Sequence, residues 1–226
     1  MKKKLFIVSI MLLTAVFAYS QADQGNLYLG GSFNLNASSN KTKAGGTTTD
    51  GPKSFSFGLL PVAGYFVSDN LMVGMGLGYN VTKTTMTDDG STSSSKTVET
   101  DGMFNIVPMA RYYMFPAKNV GVFLQGSFTA GFGKDKIKTT LTTAMPDTTI
   151  TTTDEAKQSG IIVAARPGIV FFVGEKLAFE VAFGGLYFQT HAIKSGSGDE
   201  EVKQTTSDFG LEINPAFFSF GIAFHL

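Results

Sequence analysis

Two histidines, His191 and His225, are the natural starting point for chemistry in this chain of 226 residues, which contains no cysteine. Without thiols there is no cysteine nucleophile, no thiolate zinc site, no disulfide scaffold and no lipid attachment through an N-terminal cysteine. Hydrolysis by a histidine needs a serine and an acid, or several acids, within hydrogen-bond reach. His191 is followed by Ser195, but His225 falls at the far end of the chain's last apolar segment, so the two histidines cannot share a site. Gly74, Gly76 and Gly78 superficially resemble a phosphate-binding glycine run, yet they alternate strictly and open no helix. Small side chains on one face of a strand account for them better. Asp199, Glu200 and Glu201 could hold a divalent cation weakly, although a solvated acidic loop tip is the simpler account. The expectation is therefore no catalytic residue, no metal and no cofactor. A formal net charge of zero offers no basic surface for nucleic acid.

What remains is a small set of charges, and the elements around them give them meaning. Met1-Lys2-Lys3-Lys4 is a basic stretch, Leu5 to Ala18 an apolar run, and Ala18-Tyr19-Ser20 supplies the small residues of a cleavage site. That is the plan of a secretory signal peptide, and a run of about 14 residues is short of the roughly 20 that a spanning helix needs. Residues 1–20 are read as that signal and residues 21–226 as one domain. Past residue 20 the chain carries 15 basic and 18 acidic residues, a net charge of −3.

The rest of the chain alternates with period two, the pattern of strands with two unlike faces. Leu71, Val73, Met75, Leu77, Tyr79 and Val81 alternate with Met72, Gly74, Gly76, Gly78, Asn80 and Thr82. Segments 26–36, 120–133 and 177–190 repeat the pattern, the last with Leu177, Phe179, Val181, Phe183 and Tyr187 on one face. Segments 55–66, 103–115, 159–172 and 209–226 follow it with bulkier second faces, including Leu60, Val62 and Val170. That makes eight strands. Ser68-Asp69-Asn70, Pro116 to Asn119 and Gly174-Glu175-Lys176 are tight turns, whereas 36–54, 82–102, 134–158 and 190–208 are long and polar. Short and long connections in turn describe an up-and-down meander with one smooth end and one elaborated end.

Charge placement agrees. Of 33 charged residues beyond the signal, 24 lie in the four long stretches and only Arg111, Arg166, Glu180 and Glu212 fall inside strands. Each of these four sits opposite the more apolar register. A water-soluble sheet would spread charges over its solvated face, whereas a sheet with lipid outside and a narrow lumen inside could not. Tyr65 and Tyr112 near the short turns, with Tyr79 and Tyr187 near the long ones, fit interfacial girdles, and aromatics filling a soluble core would also account for them.

Phe218, Phe220, Ile222, Phe224 and Leu226 place a bulky apolar residue at every second position to the end. This resembles the C-terminal strand by which the assembly machinery recognises bacterial outer-membrane barrels, although Leu226 stands where an aromatic is usual. Apolar parity shifts between Leu211 and Phe218, and Pro215-Ala216 is the natural site of a compensating bulge. Taken together, the signal, strands, loops and terminal strand resemble the small eight-stranded outer-membrane barrels, and among these the barrel-only porin-family proteins of Bacteroidota. The resemblance implies an all-β fold: a closed eight-stranded antiparallel up-and-down transmembrane β-barrel with long extracellular hairpins and short periplasmic turns. It also implies the bacterial outer membrane as location, with outer-membrane lipid, lipopolysaccharide and the assembly machinery as partners. No second domain is expected after the last strand.

An eight-stranded barrel is just wide enough to be filled by side chains. Arg111, Arg166, Glu180 and Glu212 then read as an internal pairing network, with Arg166 and Glu180 flanking one turn at a diagonal an arginine could span. The competing account is a substrate-binding cluster. Ile137–Thr143 and Thr148–Thr153 read as a hairpin above the membrane, able to engage an extracellular partner or simply to shield the surface. The leading expectation is a non-enzymatic outer-membrane protein acting in envelope structure or surface interaction. One alternative is a small transporter passing an apolar or small solute, prompted by Leu60, Val62 and Phe123 on inner faces. Another is a secreted soluble β-sandwich binding protein.

Overall fold

The computed structural model describes residues 22–44, 46–90, 93–117, 119–144, 147–196, 202–212 and 219–226. The proposed signal segment, Phe218 and Pro215-Ala216 lie outside these residues, as do Asp199, Glu200 and Glu201. Ten strands follow in order: β1 (Leu27–Ala44), β2 (Thr47–Ser68), β3 (Leu71–Asp89), β4 (Ser93–Ala117), β5 (Val120–Ala144), β6 (Asp147–Phe172), β7 (Leu177–Ala182), β8 (Gly185–Ser195), β9 (Val202–Glu212) and β10 (Ser219–His225). β7 and β8 both pair with β6, on one side of the kink and the other, and β10 closes the ring beside β7, so eight strands wall the barrel as expected.

Hydrogen bonding runs antiparallel around a closed ring, β1–β2–β3–β4–β5–β6–β7–β10 and back to β1. Leu27 and Leu226 clasp the first strand to the last, each N–H donating to the other's carbonyl at 2.8 and 2.7 Å. The ring makes a single closed wall in place of the two stacked sheets of a β-sandwich, which removes the soluble-sandwich alternative. Closure matters energetically, because an open sheet edge in hydrocarbon leaves backbone groups with no partner.

The two faces separate as the alternation requires. Leu71 apart, the odd residues of β3 from Val73 to Tyr79 are exposed on the outside, and Met72, Gly76 and Gly78 are buried inside. Leu29, Leu59, Phe104, Leu124, Val163 and Phe220 continue the same outward apolar belt around the ring. So large a contiguous apolar surface is stable only against lipid. Glycines at 76 and 78 are explained by the wall opposite: a Cβ there would meet Leu60 Cδ1 at 2.9 and 3.2 Å.

The described parts of the long polar stretches are mainly strand, not coil. β5 and β6 stay in register from Val120↔Phe171 to Ala144↔Asp147 without a shift. Each has at least 25 residues, against the roughly 9–11 that cross a bilayer. Their upper halves form the expected Thr-rich hairpin, with hydroxyl pairs Thr140–Thr151 and Thr142–Thr149 at 3.4 Å.

One expected parity is corrected. Continuous alternation over 177–190 would put Tyr187 on the face of Phe179. Instead Phe183-Gly184 interrupts the strand, and Leu186 and Phe188 take the outward positions. Tyr187 turns inward, so it does not belong to an outer girdle. Gly185 adopts φ +119°, and a Cβ on it would lie 2.3 Å from the Ala165 carbonyl oxygen, so only glycine fits this kink. Above the kink the connectivity changes as well. Among the described residues, β1 beyond Ser32 pairs only with β2, and β9 pairs only with β8.

Candidate lumen site

The alternation that turns apolar side chains outward turns Arg111 and Glu180 inward, on β4 and β7, which face each other across the barrel. Arg111 Nη1 donates to Glu180 Oε2 at 2.7 Å, and Tyr28 Oη donates to the same oxygen at 2.8 Å. The same Nη1 lies 3.1 Å from the hydroxyls of Tyr28 and Tyr113, and Arg111 Nε donates to Gln125 Oε1 at 2.7 Å. Phe123 completes the cradle, with the guanidinium carbon 4.6 Å from its ring centre. Arg111 is 7% and Glu180 5% exposed. Charges so far from water persist only when each is paired and hydrogen-bonded. Here one oxygen of Glu180 takes two donors, and its other oxygen, Oε1, is buried with no hydrogen bond.

Below this cluster the tube is filled. Tyr28, Phe66, Met72, Tyr113 and Phe172 are almost wholly buried, and the His225 ring packs among Tyr28, Phe66, Tyr113 and Phe172 at centroid distances of 4.8–6.0 Å. Residues 22–26 cover the short-turn end: the Asn70 N–H donates to Ala22 O at 2.8 Å and the Gly25 N–H to Phe66 O at 2.9 Å. Above it lies a cavity of about 290 Å³, walled by apolar Leu60, Val62 and Ile162 and by polar Asn34, Asn80 and Asn105.

The four charges read from the sequence are therefore distributed unevenly. Arg111 and Glu180 form the ion pair. Arg166 lines the same cavity but forms no ion pair among the described residues, and Glu212 sits on the inward parity of β9, where its strand pairs with Gly185. The Arg166–Glu180 diagonal is not made, because the register sets Glu180 opposite Val170, four residues along from Arg166. Of the terminal-strand residues, Phe220, Ile222 and Leu226 are exposed outward and Phe224 shares their parity.

Sequence reasoning missed a second constellation, at the external mouth. Asp101 and Asp135 lie directly opposite each other on β4 and β5, both inward. Gln158 Nε2 donates to Asp101 Oδ1, and Gln158 Oε1 is 3.0 Å from His191 Nε2. His191 is thus held by an amide and its partner is not Ser195. The signal was present in the long stretches as inward parity, but it needed the register to become visible. Among the described residues, no three His, Asp or Glu side chains converge as a metal site.

Burial, and then the charge of Asp101, push the Asp135 carboxyl above its ordinary range, against a lowering bond from the Lys136 N–H. A carboxyl raised in the folded state binds more protons there than in the unfolded chain, so folding stability falls as pH rises through that raised value. Asp135→Asn is accordingly expected to unfold at higher denaturant than the wild type at pH 7, the difference vanishing near pH 3, below the unfolded aspartate value of about 3.9. Denaturant titrations at both pH values test this, and a variant equal to or weaker than wild type at pH 7 contradicts it.

Residues 6–214 match the family described as outer membrane protein beta-barrel domain. Among solved structures, OprG from Pseudomonas aeruginosa is 14% identical over 92% of this chain and 99% of its own, with a TM-score of 0.33. Ail, the attachment invasion locus protein of Yersinia pestis, is 12% identical over 90% of this chain and 99% of its own, with a TM-score of 0.25. Comparison with curated proteins gives no match.

Proposed function

This chain belongs to the outer membrane protein β-barrel domain family and resides in the bacterial outer membrane, and from that premise we propose that it works without catalysis, through its external hairpins, as an envelope or surface-interaction protein. The observation that carries the reading is the blocked lumen. The Arg111–Glu180–Tyr28 cluster and the aromatic packing around His225 close the tube beneath its cavity. A barrel sealed in this way leaves, at its long-loop end, the hairpin sheet as its most extended described surface outside the lipid-facing belt. The sheet is large and carries regular hydroxyl ladders along β5 and β6. Among the described residues β6 from 147 to 156 pairs only with β5, and an extended edge of this kind engages partner strands by main-chain hydrogen bonds.

The reading is tested by shortening the β5–β6 hairpin, joining residue 138 to residue 153 through a two-residue turn, in cells and in planar bilayers. Cell-surface binding or envelope integrity is expected to change while the protein still inserts. Wild type and variant are both expected to give no conductance steps. Reproducible conductance by the wild type would defeat the sealed-lumen account.

A second reading, a small transporter releasing an apolar solute sideways, is favoured by two observations. Leu60, Val62 and Phe123 line the cavity, and the described upper parts of β1 and β9 pair with no strand at that seam. Uptake of an apolar solute that falls on deletion of the protein, and stays low when a disulfide joins the two strands, would select this reading over the first.

A further inference from the structure

One inward row of the barrel wall holds more donors than acceptors. Arg111 on β4 stands opposite Gln125 on β5, and Gln125 opposite Arg166 on β6, so polar side chains cross three neighbouring strands in one row. All three line the lumen cavity. Arg111 is satisfied by Glu180, by the hydroxyls of Tyr28 and Tyr113 and by Gln125 Oε1. Accepting the Arg111 Nε–H fixes the orientation of the Gln125 amide and leaves its Nε2 hydrogens without an acceptor among the described residues. Arg166 has neither an ion pair nor a hydrogen bond among the described residues.

No neighbouring acid fills the gap. The charged residues described in the cavity wall are Arg111, Arg166 and Glu180, and the acid belongs to Arg111. The wall therefore carries one positive charge in excess. Glu212 lies opposite Gly185, which packs against the Arg166 backbone, but it is not among the described residues that line the cavity. The acids of the external mouth are remote. Asp101 is ten residues from Arg111 and Asp135 ten from Gln125, about 33 Å along the strands at about 3.3 Å per residue. That is several Debye lengths in physiological salt.

The remainder of the cavity is shaped for an apolar body. β2 and β6 are four strands apart in a ring of eight and so face each other across the lumen. Leu60 and Val62 on β2 and Ala164 and Ile162 on β6 line the cavity between them, the last two being the next inward residues along β6 from Arg166. At roughly 30 Å³ for a water, the cavity of about 290 Å³ has room for about ten non-hydrogen atoms. A planar guanidinium with its donors free matches a carboxylate, and a single excess charge matches a monoanion better than a phosphate.

We propose that the lumen cavity is a binding site for a small aliphatic monocarboxylate, its head held by Arg166 and the Gln125 Nε2 and its chain lying between Leu60, Val62 and Ile162. The tube is filled beneath the cavity, so the ligand enters and leaves on the external side. The site stands whether or not the hairpins engage a partner.

The test is equilibrium dialysis of radiolabelled hexanoate against the full-length protein refolded in neutral detergent, with protein-free micelles as the blank. The wild type is expected to bind hexanoate at a single saturable site, and unlabelled hexanoate to displace it at least about tenfold more effectively than hexanol or hexylammonium. Arg166→Gln is expected to weaken binding about tenfold or more, the effect of losing a hydrogen bond to a charged group. Because Arg166 bonds to no described residue, this variant should still fold, with the unheated mobility and urea midpoint of the wild type. Arg166→Lys, which keeps the charge without the fork, should bind more tightly than Arg166→Gln. Absence of saturable binding, equal displacement by hexanol or hexylammonium, or full affinity in Arg166→Gln would each overturn the assignment. Should Arg166→Gln fail to fold, the three competitors on the wild type decide the matter in the same sense.

Discussion

Replacing Arg111 by methionine is expected to destabilise the barrel by about 3–5 kcal/mol, the range for removing one partner of a buried ion pair. The cost arises less from the lost attraction than from what is left behind. Glu180 would keep its Tyr28 bond at 2.8 Å but lose the cation at 2.7 Å, and its Oε1 already lacks a hydrogen bond. A carboxylate in that position would be left buried without a counter-charge and short of donors. The double variant Arg111→Met, Glu180→Leu removes both charges and is expected to recover most of the loss, because matched apolar side chains can replace a buried pair at little cost. Urea unfolding in lipid vesicles, read as the fraction migrating at the compact position without heating, measures all three proteins. If Arg111→Met alone unfolds at the wild-type midpoint, the pair is not what organises this level of the lumen. The double-mutant coupling separates that outcome from a general loss of packing, since Arg111 also rests on Phe123.

A lysine at Met75 should be nearly as harmful, for an unrelated reason. Met75 is 47% exposed on the outward face of β3, midway along the apolar run from Leu71 to Val81. Basic residues on the lipid face of a barrel cost about 2–4 kcal/mol at the bilayer midplane and little near its edges. Met75→Lys is therefore expected to lower the midpoint of unfolding and the yield of inserted protein. Nature supplies the control on the same strand, since Lys83 lies eight residues further along the outward face and is exposed. Thr85→Lys, higher still, should be without measurable effect. Equal behaviour of Met75→Lys and Thr85→Lys in vesicles would mean that the belt does not face hydrocarbon.

The wall of the barrel was legible in the sequence because side-chain direction in a strand is a local property with a period of two residues. Val73, Met75, Leu77 and Tyr79 needed no distant information to be placed on one face. The kink at Phe183-Gly184 was not legible, since alternation continues through it in the sequence while the chain inserts a residue and reverses parity. Tyr187 was misplaced for that reason. Glycine at 184 and 185 was the available signal. Both positions press against backbone carbonyls, of Glu212 and Ala165, that only the folded ring brings near.

Period-two hydrophobicity, the short and long connections and the withdrawal of charge from the strands determine by themselves that the chain forms a membrane-spanning antiparallel barrel with one elaborated end. Which inward charges meet was decided by tertiary structure alone. Arg166 is the nearer to Glu180 along the chain, yet Arg111 reaches it, because partners across a lumen are set by ring closure and by the accumulated register of every strand pair between them. The row from Arg111 through Gln125 to Arg166 has the same origin, its three members brought together only by two successive strand registers. Periodicity acts within a strand and can be read residue by residue, whereas contact between strands depends on sums of registers that no local pattern contains.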